Sequence, residues 1–394
     1  LGAPRLVEYW EQDPCFEEGE YFDTKEGGTG TRAKGEEGSM GAPNRFAASV
    51  TVEAKFAVGE YEILILSAKD AVGLDGWLRE EHYKIPAGAD AVLRPYVVSG
   101  SKFFVAKVDV KKVRFEGKHL RLSPLRFHYD SEQFALPVRL GLLNSSGTQD
   151  IIVQILAKQR YEVANYANVT IPTNIDVDDA VRTGFPAFYA ALFDRTIEKN
   201  PKAVVTEYAW QAGSCDPCPA PPVSESDVRV LGGDTLPKLD AMGLTLTRLH
   251  ARYTKDSLGE DLVFRAAPPI VGGRENEATG PASENNFQAR YVIRHKWTGP
   301  IRCANPERGM WGGPPNGKSK SPAAARDLAN APRGGTSLED LVQRDVPELG
   351  VTATAAPESA PTRRVFKGLG LGAVLGVLFA LAYLESGRGK RSHG

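Results

Sequence analysis

The most specific chemical signal in this chain is a pair of cysteines, Cys215 and Cys218, in the sequence CDPC. Such a pair occurs in thioredoxin-like redox centres, in zinc sites and in structural disulfides. Redox catalysis of the thioredoxin type needs a helix that begins at the first cysteine, because the helix dipole lowers the thiol pKa there. Proline interrupts a helix, and prolines follow at Pro217, Pro219, Pro221 and Pro222. The pattern therefore favours a structural disulfide.

The chain has four cysteines, Cys15, Cys215, Cys218 and Cys303. Four cysteines can form two disulfides in three different pairings. A zinc site is an alternative, and it would need Cys15 and Cys303 to converge on the other two. We expect all four sulfurs to be oxidised, and we predict a disulfide from the Cys215–Cys218 loop to Cys15 or Cys303. The alternative is a local Cys215–Cys218 bridge, which leaves Cys15 and Cys303 free or paired with each other.

A second candidate site is the acidic sequence NIDVDD, which resembles the beginning of a calcium-binding loop. The sixth position of such a loop requires glycine and the twelfth glutamate, but this chain has Asp179 and Phe185 there. The calcium interpretation therefore fails. We interpret the carboxylates as residues that precede a helix, where the helix dipole favours negative charge. The polar residues of this sequence are Asn174, Asp176, Asp178 and Asp179. No cofactor is predicted.

Two further sets of polar residues alternate along the chain. His128 and Asp130 share a face if their segment is extended. With Ser145 they could form a hydrolytic triad, although nothing places that serine in a nucleophile elbow. The second set is Arg248, His250 and Arg252. We expect this second set to lie on a solvated face of a sheet.

Composition and charge limit the possible classes of function. The 394 residues are 42% hydrophobic and 25% charged, which is typical of a folded globular protein and not of a disordered or multi-span membrane protein. The formal net charge is −1, whereas nucleic-acid-binding proteins usually carry a basic excess. We therefore expect no nucleic-acid partner.

Near the C terminus an apolar segment predicts one transmembrane helix. Residues 368–384 contain no charged side chain. Extending the segment to Val365 brings its helical length to about 30 Å, the thickness of a hydrocarbon core. Basic residues flank the uncharged part on both sides, at Arg363, Arg364 and Lys367 and at Arg388, Lys390 and Arg391. We predict a single-pass helix over residues 365–384, followed by a basic tail over residues 385–394.

The equal flanking charges give the positive-inside rule no preference for either orientation. We place the short tail in the cytoplasm and the rest of the chain outside it, because a long domain can be translocated regardless of its charge. Small residues recur at every fourth position of the segment, at Gly368, Gly372, Gly376 and Ala380. Such a stripe allows a second helix to approach closely, so it could support a homodimer.

Residues 304–364 are rich in Pro, Gly, Ala and Ser, a composition that cannot bury enough apolar surface to form a core. We predict a flexible tether here, between a globular head and the membrane. One interruption, residues 336–349, could form a short helix capped by Ser337. The apolar side of this helix would carry Leu338, Leu341 and Val342.

The head, residues 1–303, is predicted to be α+β and rich in strands, with antiparallel or mixed sheets and a few short helices. Alternation over residues 50–58 predicts a half-buried strand, and YEILILSA predicts a strand covered on both faces. The segments 134–143 and 151–156 flank NSSGTQD, which predicts a β-hairpin. Further strands are predicted at KFFVAKVDV, KAVVTEYAW and FQARYVIRHKW, and helices at residues 74–82 and 186–199.

Five long motifs resemble, in order, the bacterial family catalogued as domain of unknown function 2330 (DUF2330). They are EYEILILSAKDAVGLDGWL, LSPLRFHYDSEQFALPVRLGLLNSSGTQDIIVQILA, RYEVANYANVTIPTNIDV, AVVTEYAWQAGSCDPCP and LVFRAAPPIVGGRE. Members of that family look like secreted or envelope proteins, with a further strand-containing segment ahead of the position of Leu1. The resemblance implies an extracytoplasmic compartment and a domain without its N-terminal segment. It implies no activity, because the family has none assigned.

These observations lead to one functional hypothesis and two alternatives. We expect a membrane-anchored envelope protein, without enzymatic activity, whose extracytoplasmic head binds a partner or has a structural role. The first alternative is an extracytoplasmic enzyme, either thiol–disulfide or hydrolytic. The second is a zinc-stabilised cytoplasmic domain with a tail anchor. The expected partners are the cell membrane and a second copy of the chain, whereas no ligand of the head follows from the sequence.

Overall fold

In a computed structural model of the chain, residues Leu1–Ala353 form one compact unit. The residues that the structure describes are 2–15, 49–116, 119–143, 147–216, 218, 221–235, 243–254, 259–274, 277–314, 323–324 and 334–354. Strands outnumber helices within these ranges. This confirms the predicted α+β, strand-rich class of the head.

The regular elements of the described residues are as follows in chain order. The strands are β1 (Arg5–Glu11), β2 (Val50–Val58), β3 (Tyr61–Ala68), β4 (Phe103–Val108), β5 (Arg114–Glu116), β6 (His119–Arg121), β7 (Ala135–Leu136), β8 (Gln149–Ala157), β9 (Arg160–Val163), β10 (Asn168–Thr170), β11 (Ile175–Asp176), β12 (Val204–Gln211), β13 (Thr245–Tyr253), β14 (Leu262–Ala267), β15 (Ile270–Gly272), β16 (Gly280–Pro281), β17 (Asn286–Gln288), β18 (Arg290–His295), β19 (Trp311–Gly312) and β20 (Ala323–Ala324). The helices are α1 (Ala71–Glu80), α2 (Ala89–Val98), α3 (Arg139–Leu143), α4 (Val181–Lys199) and α5 (Glu225–Val230), with short 3-10 helices at Gly233–Thr235 and Pro347–Leu349.

Two sheets form the centre of the head. The larger has seven strands in the order β16–β15–β17–β12–β13–β8, with β10 paired to β12 outside this path. In the second sheet, the order is β11–β18–β1–β19, with β20 also paired to β1. Strands β1 and β18 lie parallel although they are far apart in the sequence. The predicted strand FQARYVIRHKW is split into β17 and β18, and only Ala289 separates them, so the chain passes directly from one sheet to the other.

Helix α4 contributes the largest apolar core, which also contains residues of both sheets. The Phe188 ring packs edge-on against Tyr291 of β18, with ring centroids 5.3 Å apart. The helix begins at Val181, ahead of the predicted start at Pro186, and its backbone is non-helical at Gly184. A proline inside a helix removes a hydrogen bond and crowds the preceding turn, which explains the break just before Pro186.

A smaller unit packs α1 and α2 on the sheet β2–β3–β4. The carboxylate of Asp70 caps α1 by accepting a hydrogen bond from the Gly73 amide at 2.6 Å. Strand β2 is confirmed, but its predicted half-burial is wrong. Every residue of β2 except Val50 is exposed, because β2 forms an edge of this sheet and the helices reach it at Val50.

The predicted hairpin between residues 134–143 and 151–156 is wrong. The first segment forms β7 and α3, and β7 pairs with β14. The second lies in β8, which pairs with β13. The Asp261 carboxylate accepts hydrogen bonds from the amides of Val138 and Arg139 at 2.9 and 3.1 Å. This cap at the beginning of α3 comes from a residue more than 120 positions away, so the local pattern could not indicate it.

Residues 335–353, in the middle of the predicted tether, pack into the α4 core. Leu338 is 3% exposed, and Val342 is fully buried. The predicted short helix is reduced to one turn, in which the Val342 amide donates to the Leu338 carbonyl at 3.0 Å, and to the 3-10 helix Pro347–Leu349. Other backbone groups here bond to the segment around β11. The Gln343 amide donates to the Asp176 carbonyl, and the Asp178 amide donates to the Leu341 carbonyl, each at 2.8 Å. Of the apolar residues that predict a buried face, Leu338 and Val342 are buried and Leu341 is half-buried.

No helix among the described residues is long and apolar enough to cross a membrane. The predicted span over residues 365–384 lies outside the described residues. So does the small-residue stripe of Gly368, Gly372, Gly376 and Ala380.

Leu338→Ala tests the packing of residues 335–353. Because Leu338 is buried against the α4 core, we expect the substitution to lower the free energy of unfolding by about 2–4 kcal/mol. Leu231→Ala is the matched control, since Leu231 is 68% exposed. Chemical denaturation of both variants measures the difference. Equal stability of the two would show that residues 335–353 do not belong to the core.

Candidate functional site

A fully buried carboxylate, that of Glu207, lies in the middle of the central sheet. The register of β12 against β13 passes from Thr206–Leu249 to Tyr208–Arg248, leaving Glu207 without an opposite residue, as in a β-bulge. The carboxylate accepts hydrogen bonds from the Tyr189 hydroxyl at 2.6 Å and from Arg248 Nε at 2.5 Å. One charged side chain therefore joins β12, β13 and α4.

His250 is the third partner of Glu207. Its Nδ1 lies 2.6 Å from Glu207 Oε1, and its ring stacks on Phe193 of α4 with centroids 3.7 Å apart. On the other side, His250 Nε2 lies 3.7 Å from Asp150 Oδ1, too far for a hydrogen bond but within ion-pair distance. Arg252 extends the network by pairing with Asp150 at 2.8 Å and with Asp194 of α4.

The charges in this network stabilise one another. Burial opposes the charge of Glu207, but His250 and Arg248 outweigh it and lower the pKa of Glu207 to about 2. Burial also opposes a charged imidazole, yet the carboxylates of Glu207 and Asp150 raise the pKa of His250 above its usual value of 6.5. Glu207 and Arg248 therefore form a buried ion pair near neutral pH, and the two carboxylates favour the charged form of His250.

The predicted solvated face of Arg248, His250 and Arg252 is wrong. His250 is fully buried and Arg248 is 7% exposed, because α4 covers this face. A signal was present in the sequence, since Glu207 is an acidic residue inside the otherwise apolar strand VVTEYAW. Because α4 covers Glu207 and His250 completely, a substrate cannot reach them, and we assign them a structural role.

A cleft of about 780 Å³ opens at one edge of the central sheet. Antiparallel pairing brings the ends of β8 and β12 and the beginnings of β13 and β17 to this edge. The turn after β14 completes the wall. We call it the sheet-edge cleft, and its lining includes Lys158, Arg160, Trp210, Cys215, Asp216 and Arg274.

Charged and aromatic groups converge in the sheet-edge cleft. The Arg274 guanidinium lies over the Trp210 ring, with Cζ 5.1 Å from the ring centroid. The Asp216 carboxylate lies 3.5 Å from Arg274 Nε and 3.8 Å from a terminal nitrogen of Arg290, a residue that is 3% exposed. Arg290 also donates to the backbone carbonyl of Asp216. The loop that carries Asp216 is thus held against two guanidinium groups.

Two disulfides are present, Cys15–Cys303 and Cys215–Cys218. The predicted link from the Cys215–Cys218 loop to Cys15 or Cys303 is therefore wrong, and the local bridge is found. Cys15–Cys303 joins residues 288 positions apart, with Cα atoms 5.4 Å apart. The zinc interpretation is also wrong for this structure, because each of the four cysteines forms a disulfide with another cysteine. Cys215 belongs to the lining of the sheet-edge cleft, whereas Cys15 and Cys303 do not.

The remaining sequence candidates do not form a site in the described residues. His128 and Asp130 are both exposed, in a segment without regular structure, and Ser145 lies outside the described residues. Asp178 accepts a hydrogen bond from the Ala180 amide at 2.9 Å, just before α4, as expected for a carboxylate that precedes a helix. No group of three or more His, Cys, Asp or Glu residues in the described ranges could hold a metal ion.

The fold and the cleft define a strand-rich α+β domain with two disulfides and an open polar cleft. Residues 1–265 match the family described as "Uncharacterized protein conserved in bacteria (DUF2330)". The chain therefore belongs to this family, as its motifs predicted. No curated protein and no solved structure matches the chain significantly.

The buried network predicts how stability depends on pH. The contribution of His250 is fully present below pH 6.5 and is lost as the pH rises through its raised pKa, whereas that of Glu207 is present above pH 4.5 and is lost as the pH falls toward 2. We expect His250→Gln to lower the free energy of unfolding at pH 6 by about 3 kcal/mol, because it breaks a buried ion pair.

Chemical denaturation from pH 5 to pH 9 measures this dependence. We expect the stability deficit of His250→Gln to shrink with rising pH, because the unsubstituted chain loses the His250 contribution there. His128→Gln is the matched control, since the His128 side chain is exposed. A deficit that stays constant over the whole pH range would contradict the assignment of His250 as charged in the folded protein.

The two disulfides are expected to differ in their effects on stability. Removing Cys15–Cys303 as the double serine variant opens a very long loop and should lower the free energy of unfolding by up to about 5 kcal/mol, whereas removing Cys215–Cys218 should lower it by roughly 2 kcal/mol. Thermal unfolding of both variants without reductant measures the order. A larger loss for the Cys215–Cys218 variant would contradict this account.

Proposed function

We propose that this member of the DUF2330 family is a membrane-anchored protein of the cell envelope whose extracytoplasmic head is a binding domain. The observation that carries the proposal is the Cys15–Cys303 disulfide, which connects the end of β1 to the segment after β18. Disulfides persist in oxidising compartments and are rare in the cytosol. A fold that is closed by such a bond suits the outside of the cytoplasmic membrane.

The second disulfide supports the same compartment. Cys218 is exposed and Cys215 is half-buried, so a cytosolic reductant would reach this bond. The anchor is proposed from the sequence, because residues 365–384 have the length and composition of one transmembrane helix.

Binding is favoured over catalysis by the groups that line the sheet-edge cleft. The cleft contains the hydroxyls of Ser214, Thr245 and Ser283. Among the described residues that line it, none is a histidine. Glu207 and His250, whose pKa values are lowered and raised respectively, are buried away from the cleft. A hydrolytic triad needs a base within hydrogen-bond reach of the nucleophile.

Thiol–disulfide exchange is also disfavoured by the backbone at Cys215. Among the described residues that follow, the first helix is α5, which begins at Glu225. No helix of the described residues therefore begins at Cys215, so the thiol lacks, within this part of the chain, the usual cause of a low pKa in such enzymes.

Truncation tests the anchor and the compartment together. Cells that produce the full chain should retain it in the membrane fraction after carbonate extraction, and protease added outside the cytoplasmic membrane should degrade the head. A chain that ends at Thr362 should be released as a soluble protein, because it lacks residues 365–384.

A chain that ends at Leu384 is the matched control, since it loses the basic tail but keeps the apolar segment. We expect it to remain in the membrane fraction. A chain ending at Thr362 that stays in carbonate-washed membranes, or a head that is protected from external protease, would contradict the proposal.

A further inference from the structure

The sheet-edge cleft carries more positive than negative charge. Lys158, Arg160 and Arg274 line it, against the carboxylates of Asp216 and Glu284. The Glu162 carboxylate, which lies 3.4 Å from Arg160, also accepts two hydrogen bonds from Arg265 at 2.7 and 2.9 Å, so Arg265 offsets its charge.

Two further cations stand behind Asp216. Arg290 lies 3.8 Å from its carboxylate, and Arg5 is close enough to interact electrostatically with both Asp216 and Arg290. Arg290 is 3% exposed and Arg5 is fully buried. Buried charges are screened little by salt. The potential that these groups project into the cleft is therefore positive.

Arg274 offers a donor that the folded chain does not use. Its Nε is buried and has no hydrogen-bond acceptor among the described residues. The nearest carboxylate oxygen, Asp216 Oδ2, lies 3.5 Å away, beyond the 2.7–2.9 Å or so of a charge-assisted hydrogen bond. Buried polar groups in folded proteins are nearly always hydrogen-bonded. The Arg274 side chain as a whole is 43% exposed, and its terminal nitrogens donate to no acceptor in the described part of the chain. A ligand in the cleft would therefore bind these terminal nitrogens, while Asp216 remains on the Nε side.

Lys158 adds a second positively charged side chain to the cleft. Its side chain is exposed, and no carboxylate in the described part of the chain lies within ion-pair distance of its amine. Neutral hydrogen-bonding groups complete the lining, at Gln159, Gln211, Ser214, Asn285 and Asn286. Guanidinium groups bind carboxylates and phosphates through two parallel hydrogen bonds, and amides and hydroxyls suit the polar remainder of such a ligand.

We propose that the sheet-edge cleft binds an oxyanion, a carboxylate or a phosphate group on a polar ligand, with Arg274 and Lys158 as its principal contacts and Trp210 as the surface beneath Arg274. The inference deepens the binding function proposed above and rests on it. Asp216 is the internal anion of the site: it partly neutralises Arg274 and Arg290, and the Cys215–Cys218 disulfide holds it in place.

Isothermal titration calorimetry of the full chain at low ionic strength tests this proposal, with inorganic phosphate and citrate as the two probes. We expect the unsubstituted chain to bind at least one of them. The probe that binds more tightly shows whether the cleft prefers a phosphate or a carboxylate. Arg274→Gln removes one charge-assisted contact and should weaken binding about tenfold. Asp216→Asn removes the competing carboxylate and should tighten binding by about threefold or more.

Arg94→Gln is the matched control, because Arg94 is an exposed arginine on α2 whose nearest carboxylate, Asp90, is 3.6 Å away. We expect it to leave the affinity unchanged, and thermal unfolding of each variant shows that the fold is retained. No binding of either probe at millimolar concentration, or weaker binding by Asp216→Asn, would overturn the oxyanion site. Neither result bears on the membrane anchor, and a chain that binds phosphate but is not in the envelope would overturn only the proposed compartment.

Discussion

The ion-paired carboxylate of Glu207 is the constraint on which the rest of the head depends. Its side chain holds Tyr189 of α4 and Arg248 and His250 of β13, while its backbone carbonyl accepts a hydrogen bond from Ala289 at 2.9 Å. Ala289 is the residue at which the chain passes from the central sheet to the second sheet. A buried charge is tolerated when it is paired, so the bulge in β12, the position of α4 and the junction of the sheets are all tied to Glu207.

The cleft follows from the same arrangement. Antiparallel pairing around β12 brings the end of β12 at Trp210 and the beginning of β17 at Asn286 to one edge of the sheet, where Arg160 at the beginning of β9 also lines the cleft. The buried Arg290, the first residue of β18, holds the loop that contains Asp216. The fold thus separates two sets of charges. In the closed set under α4 every charge has an opposite charge within ion-pair distance, whereas the open set at the sheet edge has an excess of positive charge.

The local sequence pattern predicts individual strands and helices better than it predicts which of them pack or pair with one another. VVTEYAW predicts β12 because its residues favour strands, and the local pattern likewise predicts a helix over residues 186–199, which lies within α4. The burial of His250 was not predicted, because the helix that covers it, α4, is distant in the sequence and the pattern around His250 does not indicate this packing. The hairpin failed for the same reason, because Asp261 caps α3 from far along the chain. Leu338 and Val342 predicted a buried face, but the surrounding Pro, Gly and Ala led to the expectation of a tether. The four cysteines predict disulfides, but their pairing depends on which residues the fold brings together.

The most direct test of the central claim, an oxidised head outside the cytoplasm, is mass mapping of unreduced peptides from the protein isolated from its own cells, with free thiols alkylated at lysis. The account predicts a peptide pair joined through Cys15 and Cys303 and an internal bridge between Cys215 and Cys218. Four alkylated thiols would contradict both the compartment and the closure of the fold.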